Sequence, residues 1–420
     1  MKQHVIYAFR TLLGPWLIIP ALGIEVMVFL LRGMPWRGEG MWTVEWFAVS
    51  LYIIGPLAAG AAAVDAARLT RPGNIHLVTA VHGQWRPLGR AVLWNAAPLA
   101  AIHLAVTAVG LLAGQVDKPS VGWLAMAAGA LVQCLVIAWY AALGSVVGRA
   151  VSPALAGLLG AGLGFILSYA IGDAATGNSF QLLALGAATV SRIGLRYDSA
   201  YLAGQAAVLT LTSMLFVLAS IRLHGRWKAP SASGALALLA AAGLIIASPM
   251  VLPAKRTVPV AGVEPQTCRG NAPQVCVYYE HRRFAPILDQ RVRLLSDAAQ
   301  AAGYDALVPR KVVENSRSYV GAGQGIRSIW LPTELYEQNT LAVEEVAYQL
   351  IQPSQCDGLH QETPPSAAYD NRFFSVLTTW LRIAHADTSA GFPVDVQPLS
   401  PAEVMDIMAD FARCDLDGTG

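Results

Sequence analysis

The chain divides at about residue 255 into a series of apolar stretches and a polar tail, and that division limits what it can fold into. A helix needs about 20 consecutive apolar residues to cross the hydrocarbon core of a bilayer. Hydropathy places such stretches near residues 12–31, 46–66, 91–114, 121–144, 153–172, 201–221 and 233–253. The expected fold class is therefore a polytopic α-helical membrane domain followed by a small α/β or α+β soluble domain. Residues 1–225 hold six spans, 226–255 a seventh with its connection, and 256–420 the soluble part.

Charge follows the same boundary. Residues 1–256 carry seven acids against seventeen Lys and Arg, whereas residues 257–420 carry twenty acids against twelve. The net charge of +2 is a cancellation and identifies no partner. With no basic patch in the tail, nucleic acid is excluded as a partner.

The first span lacks the short apolar core and small-residue cleavage site of a secretory leader, and Glu25 interrupts its outer half. It reads as a retained helix. Seven spans put the two termini on opposite faces. With the N-terminus in the cytoplasm, ten basic residues fall inside and seven outside, the sign expected for a bacterial cytoplasmic membrane.

Cysteine placement points the same way. Cys134 lies in the fourth span, while Cys268, Cys276, Cys356 and Cys414 all lie in the tail. An even number confined to one soluble region fits disulfides in an oxidising compartment, so the tail is expected outside the cytoplasmic membrane. Four cysteines allow three pairings. Cys268 with Cys276 and Cys356 with Cys414 is the favoured one, because the first pair closes a short loop beside an apparent strand. Zinc is the rival, but seven residues between Cys268 and Cys276 are too many for a C-x2-4-C knuckle.

Two loops carry functional information. Between the second and third spans, Pro72 and Gly73 break the helix, and Asn74 can cap a short new one bearing Ile75, Leu77, Val78 and Val81 beside His76 and His82. It reads either as an interfacial loop or as a coupling helix that docks into a groove on a cytoplasmic ATPase. After the fifth span, Phe180–Val190 is apolar but about half the length needed to cross. That segment reads as interfacial or re-entrant, shielded by neighbouring spans.

These elements, with Asp65, Arg71-Pro72-Gly73, Arg86-Pro87, Arg90 and Trp94, resemble the permease subunits of type-2 ABC exporters, most closely the actinobacterial ABC-2-like ones. The resemblance covers residues 1 to about 225. It implies an exporter permease that pairs with a second copy or a homologous permease, embedded in lipid, and couples to a cytoplasmic ABC ATPase through residues 67–90. The coupling residues would be Asn74, Ile75, His76, Val78, Val81 and His82. ATP and Mg would bind the partner, since this chain has no G-x-x-x-x-G-K-[ST] phosphate loop and is no enzyme by itself. The seventh span is an addition to the family pattern, and it places the tail where an extracytoplasmic protein could be a further partner. The alternative is a membrane-anchored sensor or scaffold whose tail, a non-catalytic peptidase-like fold, binds a ligand or protein.

Glu25, His103 and Gln133 are the polar candidates inside the spans, where ionisable groups are costly. Glu25 can snorkel to the outer interface, and a lone His bonded to a neighbouring span is the commoner case, so the sequence joins no relay. Asp65 pairs with Arg68 one turn later. Gly160-x-x-x-Gly164 offers close helix approach.

In the tail, strands are expected at 275–279, 307–313 and 328–331, and helices at 284–302, 334–351, 373–386 and 401–413. Val343–Leu350 resembles the His-Glu-x-x-His helix of gluzincin peptidases, with Glu345 at the general-base position. Glu344 and Tyr348 occupy the ligand positions, and His360, Glu362 and His385 do not restore the spacing, so no metal or catalytic residue is assigned.

Overall fold

A computed structural model describes residues 9–69, 85–116, 122–172, 180–186, 189–222, 231–260, 263–321, 323–356, 366–385 and 398–417. The chain forms two compact units. One holds the apolar helices, and the other comprises Arg32–Gly38, Arg192–Leu195 and Pro259–Gly420.

All seven expected apolar stretches are helical. The first unit contains α1 (Ile18–Leu30), α2 (Gly40–Phe47), α3 (Leu51–Leu69), α4 (Trp85–Ala113), α5 (Trp123–Ala150), α6 (Ala156–Gly172), α7 (Ser199–Arg222) and α8 (Ala232–Val251). A 3-10 turn at Ala48–Ser50 joins α2 to α3, so the two make one continuous span of 30 residues. Among the described residues six spans are long and apolar enough to cross a membrane. The fifth stretch, α6, has 17 residues and reaches roughly 26 Å at the helical rise, just short of a core about 30 Å thick. This is the domain of a multi-pass helical membrane protein.

α3 and α5 are its most enclosed helices, and α1, α4, α7 and α8 keep more surface outward. Lipid supplies no hydrophobic force between helices, so tight packing relies on small residues that let backbones touch. A Cβ added at Gly144 or Gly148 of α5 would lie 2.0 Å from the carbonyl oxygen of Ala59 or Ala63 on α3. Gly160 of α6 faces the same two alanines, which gives the Gly160-x-x-x-Gly164 stretch its expected role. Polar ties complete the bundle: Trp139 Nε1 donates to Thr212 Oγ1 at 2.9 Å, and the hydroxyls of Tyr140 and Ser168 lie 2.6 Å apart.

The segment after α6 is described from Phe180. Phe180, Leu182, Leu183 and Leu185 are buried without forming a helix. Backbone carbonyls at such a site need donors from the protein. Tyr201 Oη donates to Gln181 O at 2.8 Å, and Gln205 Nε2 to the carbonyls of Leu182 and Ala184 at 2.8 and 2.9 Å. Arg256 also donates to Ala184 O. The expectation of a short apolar segment packed against neighbouring spans holds for these residues.

The short strands β1 (Leu195–Tyr197) and β2 (Thr257–Pro259) form a two-stranded sheet. The tail is built on a four-stranded sheet, β3 (Thr267–Arg269), β4 (Gln274–Val277), β5 (Lys311–Glu314) and β6 (Ile326–Ile329), paired in that order. β3 runs antiparallel to β4, and β4, β5 and β6 are mutually parallel. The strands β4 and β5 are fully buried along most of their length, as a parallel sheet covered by helices requires. Five helices follow or intervene: α9 (Ala285–Ala301), α10 (Thr333–Gln338), α11 (Val343–Ile351), α12 (Ala367–Ile383) and α13 (Pro401–Ala412). Leu288, Val292 and Leu295 of α9 form a buried stripe, and Trp380 of α12 donates to Leu295 O at 2.9 Å.

Two expectations for the tail are corrected. The single helix at 334–351 is two helices, because Asn339 adopts the left-handed conformation (φ 56°) and caps α10. The helix expected at 373–386 starts six residues earlier, at Ala367, where the Ser366 hydroxyl accepts from Tyr369 N at 3.0 Å.

The cysteines form two disulfides. Cys268 and Cys276 stand directly opposite in the β3–β4 register with Cα atoms 4.0 Å apart, and Cys356 and Cys414 are 5.6 Å apart. The segment Arg32–Gly38 packs within the same unit: Trp36 is buried, Arg32 pairs with Glu337, and Arg283 donates to Pro35 O at 3.4 Å.

Candidate functional site

Three acids within the spans are fully buried: Glu25, Glu45 and Asp65. Each solves the cost of a buried carboxyl group differently. Asp65 sits near the end of α3, where it accepts from Leu13 N at 3.0 Å, from Asn95 Nδ2 at 2.9 Å and from Arg68 Nη1 at 3.5 Å. The Arg68 pairing expected from spacing is therefore the longest of its contacts. Glu45 on α2 lies 3.8 Å from Arg256 Nε, and the Arg256 guanidinium also stands over the Tyr197 ring at 5.4 Å. Asp65 is met by fixed donors, and Glu45 by a guanidinium beyond hydrogen-bond distance.

Glu25 is arranged otherwise. His103 Nδ1 lies 2.8 Å from Glu25 Oε1, and His103 Nε2 lies 2.9 Å from Gln133 Oε1. Gln133 Nε2 in turn donates to Val44 O at 3.0 Å, and the Ser50 hydroxyl lies 2.7 Å from Glu25 Oε1. The three candidates read as unlinked in the sequence thus form one line of hydrogen bonds across α1, α4 and α5, closed on α2. All three side chains are fully buried, so Glu25 does not snorkel to an interface.

This geometry fixes most of the protons. A Gln oxygen cannot donate, and Gln133 Nε2 is committed to Val44, so His103 Nε2 must carry a hydrogen. Nδ1 faces a carboxyl oxygen, so a single proton lies between it and Glu25 Oε1, on one atom or the other. Either way the pair is neutral.

A second buried pair lies in the tail and was not anticipated. His281 Nδ1 is 2.5 Å from Glu314 Oε1, and Glu314 Oε2 accepts from Tyr278 N at 2.9 Å. His281 packs edge-on against Tyr336, with ring centroids 5.2 Å apart. Tyr278 donates to Val263 O at 2.9 Å, and burial pushes its hydroxyl up to about 12, with Ser316 offsetting and Glu314 adding to the shift. Enclosed on every side, the cluster pins the end of β4 to β5. The Glu314 position at a strand end was the available signal, but nothing in the spacing pointed to His281.

The gluzincin-like helix is α11. Glu345 accepts from Gln349 at 3.0 Å and Tyr348 packs on Phe373, ring centroids 4.8 Å apart. Among the described residues no group of three or more His, Cys, Asp or Glu is placed to hold a metal ion. A cleft of about 540 Å³ opens beside this helix, lined by Ile287, Arg291, Pro332, Glu334, Thr340 and Glu345. The coupling residues Asn74, Ile75, His76, Val78, Val81 and His82 lie outside the described residues, as do His360 and Glu362.

Fold and site together define a multi-pass helical membrane protein with a disulfide-stapled mixed α/β domain and a buried carboxyl–imidazole line inside the spans. No protein-family model, curated protein or solved structure matches the chain.

Proposed function

We propose that the chain is the membrane subunit of an ATP-driven exporter of the ABC-2 kind, coupled through residues 67–90 to a separate cytoplasmic ATPase, with its tail outside the cytoplasmic membrane. The observation that carries this reading is the buried, non-helical run at Phe180–Gly186 between the fifth and sixth apolar helices, held by Tyr201, Gln205 and Arg256. Irregular backbone at membrane depth is kept only where protein shields it or where it lines a path.

Span parity supports the placement of the tail. Arg32–Gly38, Arg192–Leu195 and the tail belong to one compact unit, and on this reading that unit lies on one side of a membrane. Between Gly38 and Arg192 the α2–α3 span, α4 and α5 alone would make three crossings and separate those segments. A fourth crossing by α6 brings them together, which makes seven crossings and opposite faces for the two ends. The 17-residue α6 can cross with modest local thinning of the bilayer. Two disulfides in the tail favour the oxidising side.

The test is co-purification from the native host in mild detergent. A Walker-type ATPase should accompany the chain, and its ATP hydrolysis should fall when Ile75 and Val78 are both changed to Asp. A chain that purifies without any ATPase, or activity indifferent to those changes, sinks the reading.

The second reading, a membrane-anchored sensor or scaffold, is favoured by the tail cleft, whose lining includes Arg291, Glu334 and Glu345. It predicts that changing those three residues abolishes ligand or protein binding by the full chain with no ATPase present.

A further inference from the structure

We infer that Glu25 and His103 together bind one exchangeable proton, forming a proton-binding site inside the membrane unit. The inference does not rest on coupling to an ATPase. It starts from charge: with one proton between Oε1 and Nδ1 the pair is neutral, without it the site carries −1, and with a second it carries +1. In an apolar interior each charged state is expensive, so the occupancy of this one position controls whether a net charge stands among the spans. Glu45 and Asp65 offer no such choice, because an arginine faces one, and a backbone N–H, an amide and an arginine face the other.

A second observation concerns the same carboxyl group. Glu25 Oε2 is buried and has no hydrogen-bond partner among the described residues. Both oxygens of Asp65 are bonded, and Glu45 has the Arg256 guanidinium 3.8 Å away. A buried oxygen without a hydrogen bond costs less on a neutral carboxyl group than on a carboxylate. Meanwhile the ring is held from behind: Gln133 accepts from Nε2 and is itself fixed on Val44 O, so Nδ1 is the position left to gain or lose the proton. The Ser50 hydroxyl at 2.7 Å can donate to Oε1 when the proton departs and turn to Phe47 O at 2.8 Å when it returns.

The neighbours do not compete for this role. α1 has no other ionisable group. α2 offers Glu45, engaged by Arg256. Tyr52, Asp65 and Arg68 lie on α3, and Asp65 comes 15 residues after Ser50, roughly 22 Å along the helix. On α4 the charged residues are Arg86 and Arg90, the nearer of them 13 residues before His103, roughly 20 Å away. α5 brings Cys134, whose Sγ lies 4.0 Å from Ala100 O, then Tyr140 and Arg149 farther along. Glu25 sits five residues before the end of α1 at Leu30, about 8 Å, so proton exchange runs most directly to the face bearing Arg32–Gly38. On release the proton passes to water and its bonding electron pair stays on Nδ1 or Oε1.

The test uses the full chain in lipid nanodiscs. Infrared difference spectra taken over the pH range in which the chain stays folded should show a one-proton change at this pair, as a carboxyl C=O stretch where the proton leaves Oε1 or as histidine ring bands where it leaves Nδ1. Glu25→Gln keeps the shape and should remove that one-proton change. Ser50→Ala should move the midpoint and keep the amplitude. A nitrogen-15 NMR titration of histidine-labelled wild-type protein, with His103 assigned by His103→Gln, needs no perturbed site for its reading and should show Nδ1 moving at the same midpoint. The inference is overturned by an Nδ1 signal that stays constant across the range, or by a pH-dependent carboxyl band that survives in Glu25→Gln.

Discussion

Removing the two disulfides one at a time separates loop closure from local packing. Cys356–Cys414 spans 58 residues and Cys268–Cys276 spans 8. In the chain-entropy account, the first restricts the unfolded tail by about 4 kcal/mol and the second by about 2.5 kcal/mol. Local costs can be matched, because each bridge has one buried partner, Cys356 or Cys276, and one more exposed partner, Cys414 or Cys268. Alanine at the buried position and serine at the exposed one therefore leave comparable small voids in C356A/C414S and C268S/C276A. The remaining difference of roughly 1.7 kcal/mol is a factor of 15 to 20 in the folding equilibrium. Pulse proteolysis of the full chain in a urea series, following the loss of the intact tail, measures it. The long-loop variant should unfold at the lower urea concentration. Equal midpoints, or the reverse order, would refute loop closure as the main contribution and point to the register of β3 on β4, where Cys268 and Cys276 face each other across the ladder.

The remaining predictions concern single side chains. Gly144→Val should cost about 3 kcal/mol or more and abolish a monodisperse peak in size-exclusion chromatography, since even a Cβ there meets Ala59 O at 2.0 Å. Gln205→Leu strips the donor from the carbonyls of Leu182 and Ala184, at about 1–3 kcal/mol per unsatisfied group, and should expose residues 180–186 to hydrogen exchange. Trp380→Ala should cost about 3–5 kcal/mol through the void between α9 and α12, seen as early loss of tail protection in hydrogen exchange. Asp410 is held below the usual carboxylate range by hydrogen bonds from Arg372 first and then Arg413. A lowered folded-state value means that its contribution is complete above the ordinary Asp range and is lost as pH falls through the folded value. Tail stability should therefore decline on acidification, and Asp410→Asn should flatten that limb of the pH profile.

Much of the membrane unit was legible because bilayer thickness converts directly into run length. The seven apolar runs became helices, and the glycines of α6 met α3 as their spacing implied. In the tail the amphipathic pattern found α9 and α13, and the cysteines paired as favoured. The break at Asn339 escaped because the hydrophobic period runs on either side of it, while one left-handed residue ends a helix without disturbing that period. β3 escaped because three residues are too few to show alternation.

The polar line inside the spans was legible as residues and illegible as a site. Periodicity places Glu25, His103 and Gln133 each on a helix, but they are 78 and 30 positions apart along the chain, and which faces meet is decided elsewhere. That decision is made by the small residues of α3, α5 and α6, which bring backbones into contact and so set the rotation of α5 in the bundle. Once α5 is fixed, Gln133 can reach both Val44 O and the His103 ring, and the ring then presents Nδ1 to α1. The glycine contacts and the buried pair are therefore two ends of one arrangement. A change that rotates α5, such as Gly148→Ala with its Cβ 2.0 Å from Ala63 O, should alter the infrared signature of Glu25 without touching any residue of the polar line. An unchanged Glu25 band in a folded Gly148→Ala protein would show that the pair is positioned by α1 and α4 alone.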